Sequence, residues 1–180
     1  MRIIGGAFKS RIFRPGKNFK ARPTTDFARE NLFNILDNRY YFENKRVLDL
    51  FSGTGSISFE FASRGCRNIT IVELDRFHYN FICSVIEKLD IRNSVKTVNG
   101  DVFKFIGRSS EQYNIIFADP PYELKRLAEI PDLILNSNLL QDEGLLILEH
   151  GKTNDFSTHP SFSELRTYGS VHFSFFIQKK

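Results

Sequence analysis

The segment Asp119-Pro120-Pro121-Tyr122 combines residue types that could act together on a planar amine. Two consecutive prolines fix two backbone φ angles and remove two amide donors, so carbonyl oxygens are exposed beside a carboxylate and an aromatic ring. Asp119 and the Pro120 carbonyl could accept the two hydrogens of an exocyclic amine while Tyr122 stacks on the attached ring. The segment therefore predicts group transfer to a conjugated nitrogen. A purely structural turn is the alternative interpretation.

The loop Gly53-Thr54-Gly55 is a second candidate, because it follows an apolar run and opens a helical pattern. Glycines there let a ligand approach the backbone closely. The dinucleotide fingerprint would require a third glycine where this chain has Ser58. Asp49 would repel a pyrophosphate but attract a cation. We therefore predict S-adenosylmethionine, which carries a sulfonium and an ammonium group, as the cofactor. A tight turn without a ligand and a nicotinamide oxidoreductase are the alternatives.

Two further acids follow predicted strands. Glu73 ends the second strand, 18 residues beyond Gly55, where a carboxylate can accept hydrogen bonds from both hydroxyls of a ribose. Asp101 follows the third strand and is placed to bind an adenine amino group, with the backbone of Val102 near the ring edge. The complete set of predicted cofactor-binding residues is Asp49, Phe51, Gly53, Gly55, Glu73, Leu74, Asp101, Val102 and Asp119.

Alternating strand and helix patterns would bring these residues to one edge of a sheet. The predicted strands are 47–51, 69–73, 95–99, 113–118 and 145–148, and 165–170 with 172–177 form a terminal antiparallel pair. The predicted helices are 56–64, 76–89, a short one after residue 101 and one around 131–136. This alternation predicts an α/β fold with a mainly parallel sheet, in which ligands bind outside the carboxyl ends of the strands.

The N-terminal part of the chain is strongly basic. Residues 1–46 contain eleven Lys or Arg against four acids, whereas the remainder contains 14 against 17. Such a basic arm is typical of proteins that bind a polyanion, and a solvated tail is the alternative. Thr25 or Asp26 is predicted to cap a helix from about Phe27 to Leu36, whose apolar face would anchor the arm. We expect residues 1–45 to form an RNA-contacting extension and residues 46–180 the catalytic domain.

Composition restricts the remaining possibilities. No apolar run approaches the roughly 20 residues that a membrane span requires, and the N-terminus lacks the longer apolar stretch of a signal peptide. Cys66, Cys83 and the four histidines have no metal-ligand spacing. We therefore expect a cytoplasmic monomer with no metal and no membrane partner.

Six segments together resemble the RsmD family of bacterial 16S rRNA guanine-N2 methyltransferases. They are Met1-Arg2-Ile3-Ile4-Gly5-Gly6, Arg22-Pro23-Thr24-Thr25-Asp26, residues 29–36, residues 47–55, Asp119-Pro120-Pro121-Tyr122 and Glu149-His150. The resemblance covers nearly the whole chain to about residue 150. Two segments depart from the family pattern: Phe51 to Gly55 reads Phe-Ser-Gly-Thr-Gly where Phe-Ala-Gly-Ser-Gly is commoner, and Ser170-Val171 replaces a usual Asp-Thr.

The resemblance implies a Rossmann-like class I methyltransferase with an N-terminal β-hairpin and helix that help to hold 16S rRNA within the small ribosomal subunit. It implies N2-methylguanosine as the product. The implied catalytic residues are Asp119, Pro120 and Tyr122, and the implied RNA-binding residues are Arg2, Lys9, Arg11, Arg22, Thr24, Thr25 and Arg29. An adenine-N6 methyltransferase of DNA or RNA needs the same turn, and a non-catalytic RNA-binding assembly module is a further alternative.

Overall fold

The structure is a computed structural model that describes residues 1–16 and 25–179. Arg22 and Thr24, which the sequence analysis assigns to RNA binding, lie outside the described residues. None of the helices within these two ranges combines the length and apolar composition that a membrane crossing demands.

A seven-stranded sheet forms the centre of the molecule, with the strand order β3-β2-β1-β4-β5-β7-β6. Its strands are β1 (Arg46–Leu50), β2 (Asn68–Glu73), β3 (Val95–Asn99), β4 (Tyr113–Ala118), β5 (Leu140–His150), β6 (Phe162–Tyr168) and β7 (Val171–Ile177). Strands β1 to β5 run parallel, and β7 pairs antiparallel with both β5 and β6. The predicted α/β fold with a C-terminal antiparallel pair is confirmed.

Helices cover both faces of this sheet. They are α1 (Asp26–Asp37), α2 (Ser56–Ser63), α3 (Arg76–Leu89), α4 (Val102–Ile106) and α5 (Ile130–Leu135), the last preceded by a short 3-10 turn (Leu127–Glu129). Alternate strand residues enter two separate apolar cores: Val47 packs with α1, α2 and α3, whereas Leu48 packs with α4 and α5. A parallel sheet buried on both faces explains why its strands read as continuous apolar runs.

One strand begins earlier than the sequence predicts. Strand β5 starts at Leu140, five residues before the predicted start at Leu145. The pairing of β4 with β5 changes register after Tyr113, and Glu143 has a left-handed φ of 56°. This irregular stretch is polar, so hydrophobicity alone did not indicate a strand there.

The described part of the N-terminal extension packs on the body of the protein. Residues Arg2 and Ile12 form an antiparallel bridge, and the amide of Ile3 donates to the Arg11 carbonyl at 3.0 Å. Gly6 has a φ of 73°, and a Cβ there would lie 2.0 Å from the Ser63 carbonyl oxygen at the end of α2. The extension therefore approaches α2 more closely than any other residue type at this position would allow.

Helix α1 anchors the same extension as predicted. Thr25 is its N-cap, and the Thr25 Oγ1 accepts a hydrogen bond from the Ala28 amide at 3.2 Å. Ala28, Leu32 and Leu36 are buried in the core that also contains Ile3. The basic segment is thus attached to the sheet through an apolar helix face.

Candidate active site

A cavity of about 710 Å³ opens at the carboxyl ends of the parallel strands. Its volume falls within the roughly 300–1,000 Å³ typical of small-molecule sites. The structure brings most of the predicted site residues together in its wall: Asp49, Phe51, Gly53, Glu73, Leu74, Asp101, Asp119, Pro120 and Tyr122. Each of them lies at the carboxyl end of one of the strands β1 to β4 or in the loop that follows, which is where ligands bind in open parallel sheets.

Two predicted cofactor residues, Gly55 and Val102, do not line the cavity but lie next to residues that do. Gly55 is the N-cap of α2 with a φ of 72°, and a Cβ there would lie 2.8 Å from the Phe59 ring. Val102 is the first residue of α4, and its side chain is buried in the core. Both therefore shape the loops that carry the lining residues.

Asp49 is buried at the base of the cavity. Its Oδ2 accepts hydrogen bonds from the Ser58 hydroxyl at 2.6 Å and from the Ser58 amide at 3.3 Å. Burial raises the pKa of the Asp49 carboxyl to about 7, although the hydrogen bonds from Ser58 act in the opposite direction. Ser58, where a dinucleotide site would have glycine, thus orients the first acid of the series.

Glu73 connects the loops that follow β1 and β2. Its Oε2 accepts from the Gly53 amide at 2.7 Å and its Oε1 from the Asp75 amide at 2.8 Å. A carboxylate oxygen has two lone pairs, so each oxygen can accept a further hydrogen bond from a ligand hydroxyl. Asp101 caps α4 by accepting from the Lys104 amide at 2.8 Å. Both acids are held by backbone amides, which fixes their positions before a ligand arrives.

Two aromatic rings form an apolar part of the wall. Phe51 has a left-handed φ of 59°, a strained conformation of the kind that often occurs at functional sites. Its ring lies edge-to-face with Phe103 at 6.2 Å between centroids, and the Arg126 guanidinium lies 4.2 Å from the Phe103 centroid. Phe103 was not predicted as a site residue. Its position in the first turn after Asp101, beside the predicted adenine acceptor, is the signal that could have identified it.

The Asp119 to Tyr122 turn is attached to two strands. The Asp119 amide donates to the Leu50 carbonyl at 3.2 Å, which extends the pairing of β4 with β1. The Tyr122 hydroxyl donates to the Glu149 Oε1 at 3.1 Å. Glu149 lies near the end of β5 and lines the cavity. In the sequence, Glu149 is part of a segment that resembles the family, and no role was predicted for it.

The charge of the cavity wall is strongly one-sided. The described residues that line it include seven acids and no Lys or Arg. The acids are Asp49, Glu73, Asp75, Asp101, Asp119, Glu123 and Glu149. Such a wall disfavours a phosphate-bearing ligand and favours a cation or a neutral donor of hydrogen bonds.

The predicted RNA-binding residues fall into two groups. Arg2, Lys9 and Arg11 are exposed, and Thr25 lines the cavity mouth besides capping α1. The assignment of Arg29 to an RNA-contacting surface is wrong, because its side chain is only 1% exposed.

Arg29 instead supports the extension from inside the protein. Its guanidinium pairs with Asp26 at 2.8 Å and with Glu60 at 3.4 Å, and it donates to the Arg2 carbonyl at 2.6 Å. Its partners therefore lie in three segments, which are the hairpin, α1 and α2. A buried arginine with these partners orients its neighbours and is not available to a phosphate.

Comparisons with known proteins agree with this architecture. The family described as "Conserved hypothetical protein 95" matches residues 1–177. The "Ribosomal RNA small subunit methyltransferase D" of Buchnera aphidicola subsp. Baizongia pistaciae is 31% identical over 98% of this chain and 91% of its own length. The Escherichia coli K12 protein of the same name is 32% identical over 89% of this chain and 80% of its own length.

Solved structures give the same result for the fold. Escherichia coli yhhF superposes with a TM-score of 0.86 and 28% identity, covering 99% of this chain and 98% of that one. An RNA methyltransferase from Salinibacter ruber, solved with S-adenosyl-L-homocysteine, superposes with a TM-score of 0.69 at 13% identity. The superposition covers 88% of this chain and 95% of that one. The chain therefore belongs to the family described as conserved hypothetical protein 95, which is the RsmD family, and has the fold of S-adenosylmethionine-dependent methyltransferases.

Proposed function

We propose that the chain transfers a methyl group from S-adenosylmethionine to the exocyclic N2 of a guanine in 16S rRNA, giving N2-methylguanosine. The observation that carries this proposal is the acidic cavity, in which the Asp119 to Tyr122 turn stands beside acids held at the ends of β1 and β2. The names of the relatives from Buchnera aphidicola and Escherichia coli support ribosomal RNA of the small subunit as the substrate.

The chemistry of the wall fits this cofactor. When bound, S-adenosylmethionine supplies a methyl group activated by a sulfonium. Glu73 can accept the ribose hydroxyls and Asp101 the adenine amino group, while Asp49 favours the positive charge at the base of the site. The absence of Lys and Arg among the described lining residues suits a ligand without phosphate.

The substrate base would be held by the turn after β4. Asp119 and the Pro120 carbonyl accept the two N2 hydrogens, and Tyr122 stacks on the purine ring. A conjugated amine is a poor nucleophile because its lone pair is delocalised, so two acceptors that favour a pyramidal nitrogen aim that lone pair at the methyl group. The nitrogen becomes acidic once methylated, so a weak base suffices to take its proton. A paired target must first leave its stack, at a cost of a few kcal/mol.

Transfer of labelled methyl from S-adenosylmethionine to small ribosomal subunits that lack the modification tests the proposal. We expect label in N2-methylguanosine after nucleoside digestion. Label in N6-methyladenosine would establish the adenine alternative. Cofactor binding without label in any nucleoside would contradict the proposed substrate. We further propose that the enzyme acts in the cytoplasm and is a monomer. Size-exclusion chromatography with light scattering checks the oligomeric state.

The raised pKa of Asp49 predicts a pH-dependent cofactor affinity. Its carboxyl, with a pKa of about 7 in the free protein, is largely neutral at pH 6 and ionised at pH 8. A cationic cofactor favours the ionised form, so binding should release a proton and the affinity should rise by about tenfold from pH 6 to pH 8. Calorimetry in buffers of different ionisation enthalpy measures both quantities. Asp49→Asn should remove the pH dependence, and an affinity that falls with pH would contradict the assignment.

The exposed cations of the extension should determine the salt dependence of RNA binding. Reversing the charges of Lys9, Arg11 and Arg14 is expected to weaken binding and to lower the slope of log K against log salt by about 3, because fewer counterions are released from RNA. Fluorescence anisotropy with an rRNA fragment gives the slope, and cofactor affinity should be unchanged. The matched control reverses three exposed cations outside the extension: Arg67, Lys88 and Arg92. Equal slopes for both triple variants would show that the extension does not contact RNA.

A further inference from the structure

We infer that Glu149 is a positioning residue for the reaction, acting by holding the ring of Tyr122 against the substrate base. This inference rests on the proposed function, in which Tyr122 stacks on the target. The contact that carries it is the hydrogen bond from the Tyr122 hydroxyl to the Glu149 Oε1, at 3.1 Å. A side chain that provides a stacking face is useful only if the plane of its ring is fixed before the base arrives.

Glu149 is an anchor that cannot easily move. It is the penultimate residue of β5, its backbone pairs with Phe173 of β7, and its side chain is only 3% exposed. The next residue is fixed as well, because the His150 Nε2 lies 2.8 Å from the Ser174 Oγ. The acceptor for the Tyr122 hydroxyl therefore belongs to the interior of the sheet.

Tyr122, by contrast, lies in a turn outside any helix or strand. Its hydroxyl is held by Glu149, while the edge of its ring meets the backbone of Gly151. A Cβ at Gly151 would lie 3.1 Å from the Tyr122 Cδ2, so glycine leaves the space that the ring occupies. The ring is thus held at its hydroxyl end by Glu149 and along one edge by Gly151, two residues further along the chain. Residues at and just after the end of β5 therefore fix the orientation of the Tyr122 ring, which belongs to the same turn as Asp119.

A carboxylate buried beside other acids is a costly way to hold a hydroxyl unless the position of that hydroxyl matters. Asp119 directly follows β4 and Glu149 lies at the end of the neighbouring parallel strand β5, and both line the same cavity, so both carboxylates add negative charge to one small volume. An amide or a hydroxyl would accept the same hydrogen bond with less repulsion. A carboxylate oxygen accepts the bond from the Tyr122 hydroxyl more strongly than an amide oxygen does, so Glu149 holds the ring more firmly than glutamine would, and glutamine more firmly than alanine, which has no acceptor.

A double-mutant cycle on turnover separates an action through Tyr122 from a direct action on the substrate. Tyr122→Phe and Glu149→Ala should each lower kcat, measured at saturating cofactor, about 10-fold, the effect of losing a hydrogen bond to a charged group. The double variant should also lose about 10-fold. Losses that multiply to about 100-fold would overturn the inference, because Glu149 would then act independently of the Tyr122 hydroxyl.

Conservative and remote variants complete the test. Glu149→Gln keeps an acceptor for the Tyr122 hydroxyl and should retain most of kcat, so a loss as large as that of Glu149→Ala would contradict a positioning role. Tyr113→Phe is the matched control, since the Tyr113 hydroxyl also donates to a glutamate, Glu111, at 3.4 Å but lies at the opposite end of β4. Its turnover should equal that of the unmodified protein.

A readout without substrate keeps the inference distinguishable from the proposed function. With 3-fluorotyrosine at all six tyrosines, the ¹⁹F resonance of Tyr122 is identified by its loss in Tyr122→Phe. That resonance should shift or broaden more in Glu149→Ala than in Glu149→Gln. An unchanged resonance in Glu149→Ala would refute the positioning role even if methyl transfer is confirmed. Conversely, a protein without methyl transfer in which the resonance responds would refute only the proposed function.

Discussion

Replacing Asp119 by alanine is expected to lower the turnover of methyl transfer by about 10²–10⁴-fold, the range typical of a positioned acid, base or dipolar group. Asp119 is held in place because its amide donates to the Leu50 carbonyl and because two prolines follow it. Its loss leaves the Pro120 carbonyl as the remaining acceptor of the proposed pair, so the target nitrogen is no longer oriented toward the methyl group. The measurement is single-turnover transfer at saturating cofactor and RNA.

The binding of RNA serves as the internal control for Asp119. The RNA affinity should change little in Asp119→Ala because the basic extension is intact, and saturating cofactor offsets any loss of cofactor affinity from removing one acid of the cavity wall. Asp142→Ala, at an exposed position near the start of β5, is the matched aspartate variant and should turn over normally. Near-normal turnover of Asp119→Ala would show that Asp119 does not have the proposed catalytic role.

The second large effect is expected on stability. Glu60→Ala should lower the free energy of unfolding by about 3–5 kcal/mol, because it leaves the buried Arg29 guanidinium without the carboxylate that partly neutralises it. The Glu60 side chain is fully buried, it pairs with Arg29 and Arg64, and it accepts hydrogen bonds from the amides of Ile4 at 2.6 Å and Gly5 at 3.3 Å. Urea denaturation measures the change.

An exposed ion pair provides the comparison for Glu60. Glu43 pairs with Arg67 at 3.4 Å, and both side chains are more than half exposed. Glu43→Ala should therefore change the free energy of unfolding by less than about 1 kcal/mol. Similar losses in the two variants would show that the buried cluster contributes no more than a surface pair. The extension should also become sensitive to limited proteolysis in Glu60→Ala and remain resistant in Glu43→Ala.

The site was largely predictable because its residues follow strands. Asp49, Glu73, Asp101 and Asp119 each stand next to an apolar run, and the fold requires parallel strands to present their carboxyl ends at one edge. Glu149 could not be assigned a role in this way, although it also lies at a strand end. Its significance depends on the Tyr122 hydroxyl, 27 residues away in sequence, and only the structure places the two side chains together.

Glu149 was given no role, whereas Arg29 was given a wrong one. The resemblance implies an RNA-binding role for Arg29, and its position in a basic segment agrees with that expectation. One of its acid partners, Asp26, is three residues away, but the buried partner, Glu60, lies on another helix, so only the structure shows that Arg29 is buried. Helix boundaries were predicted more accurately: α3 spans residues 76–89 as expected, because its apolar positions recur on one face.

The strand order has a consequence for how the chain folds while it is being synthesised. β7 comes last in sequence, yet it lies between β5 and β6 in the sheet. A nascent chain emerging N-terminus first therefore holds β5 with an unpaired edge until residues 171–177 have appeared. Phe173 and Phe176 of β7 fill the cores on opposite faces of the sheet. A chain that lacks residues 171–177 would retain every predicted cofactor residue and yet expose the edge of β5 and part of both apolar cores, which favours aggregation.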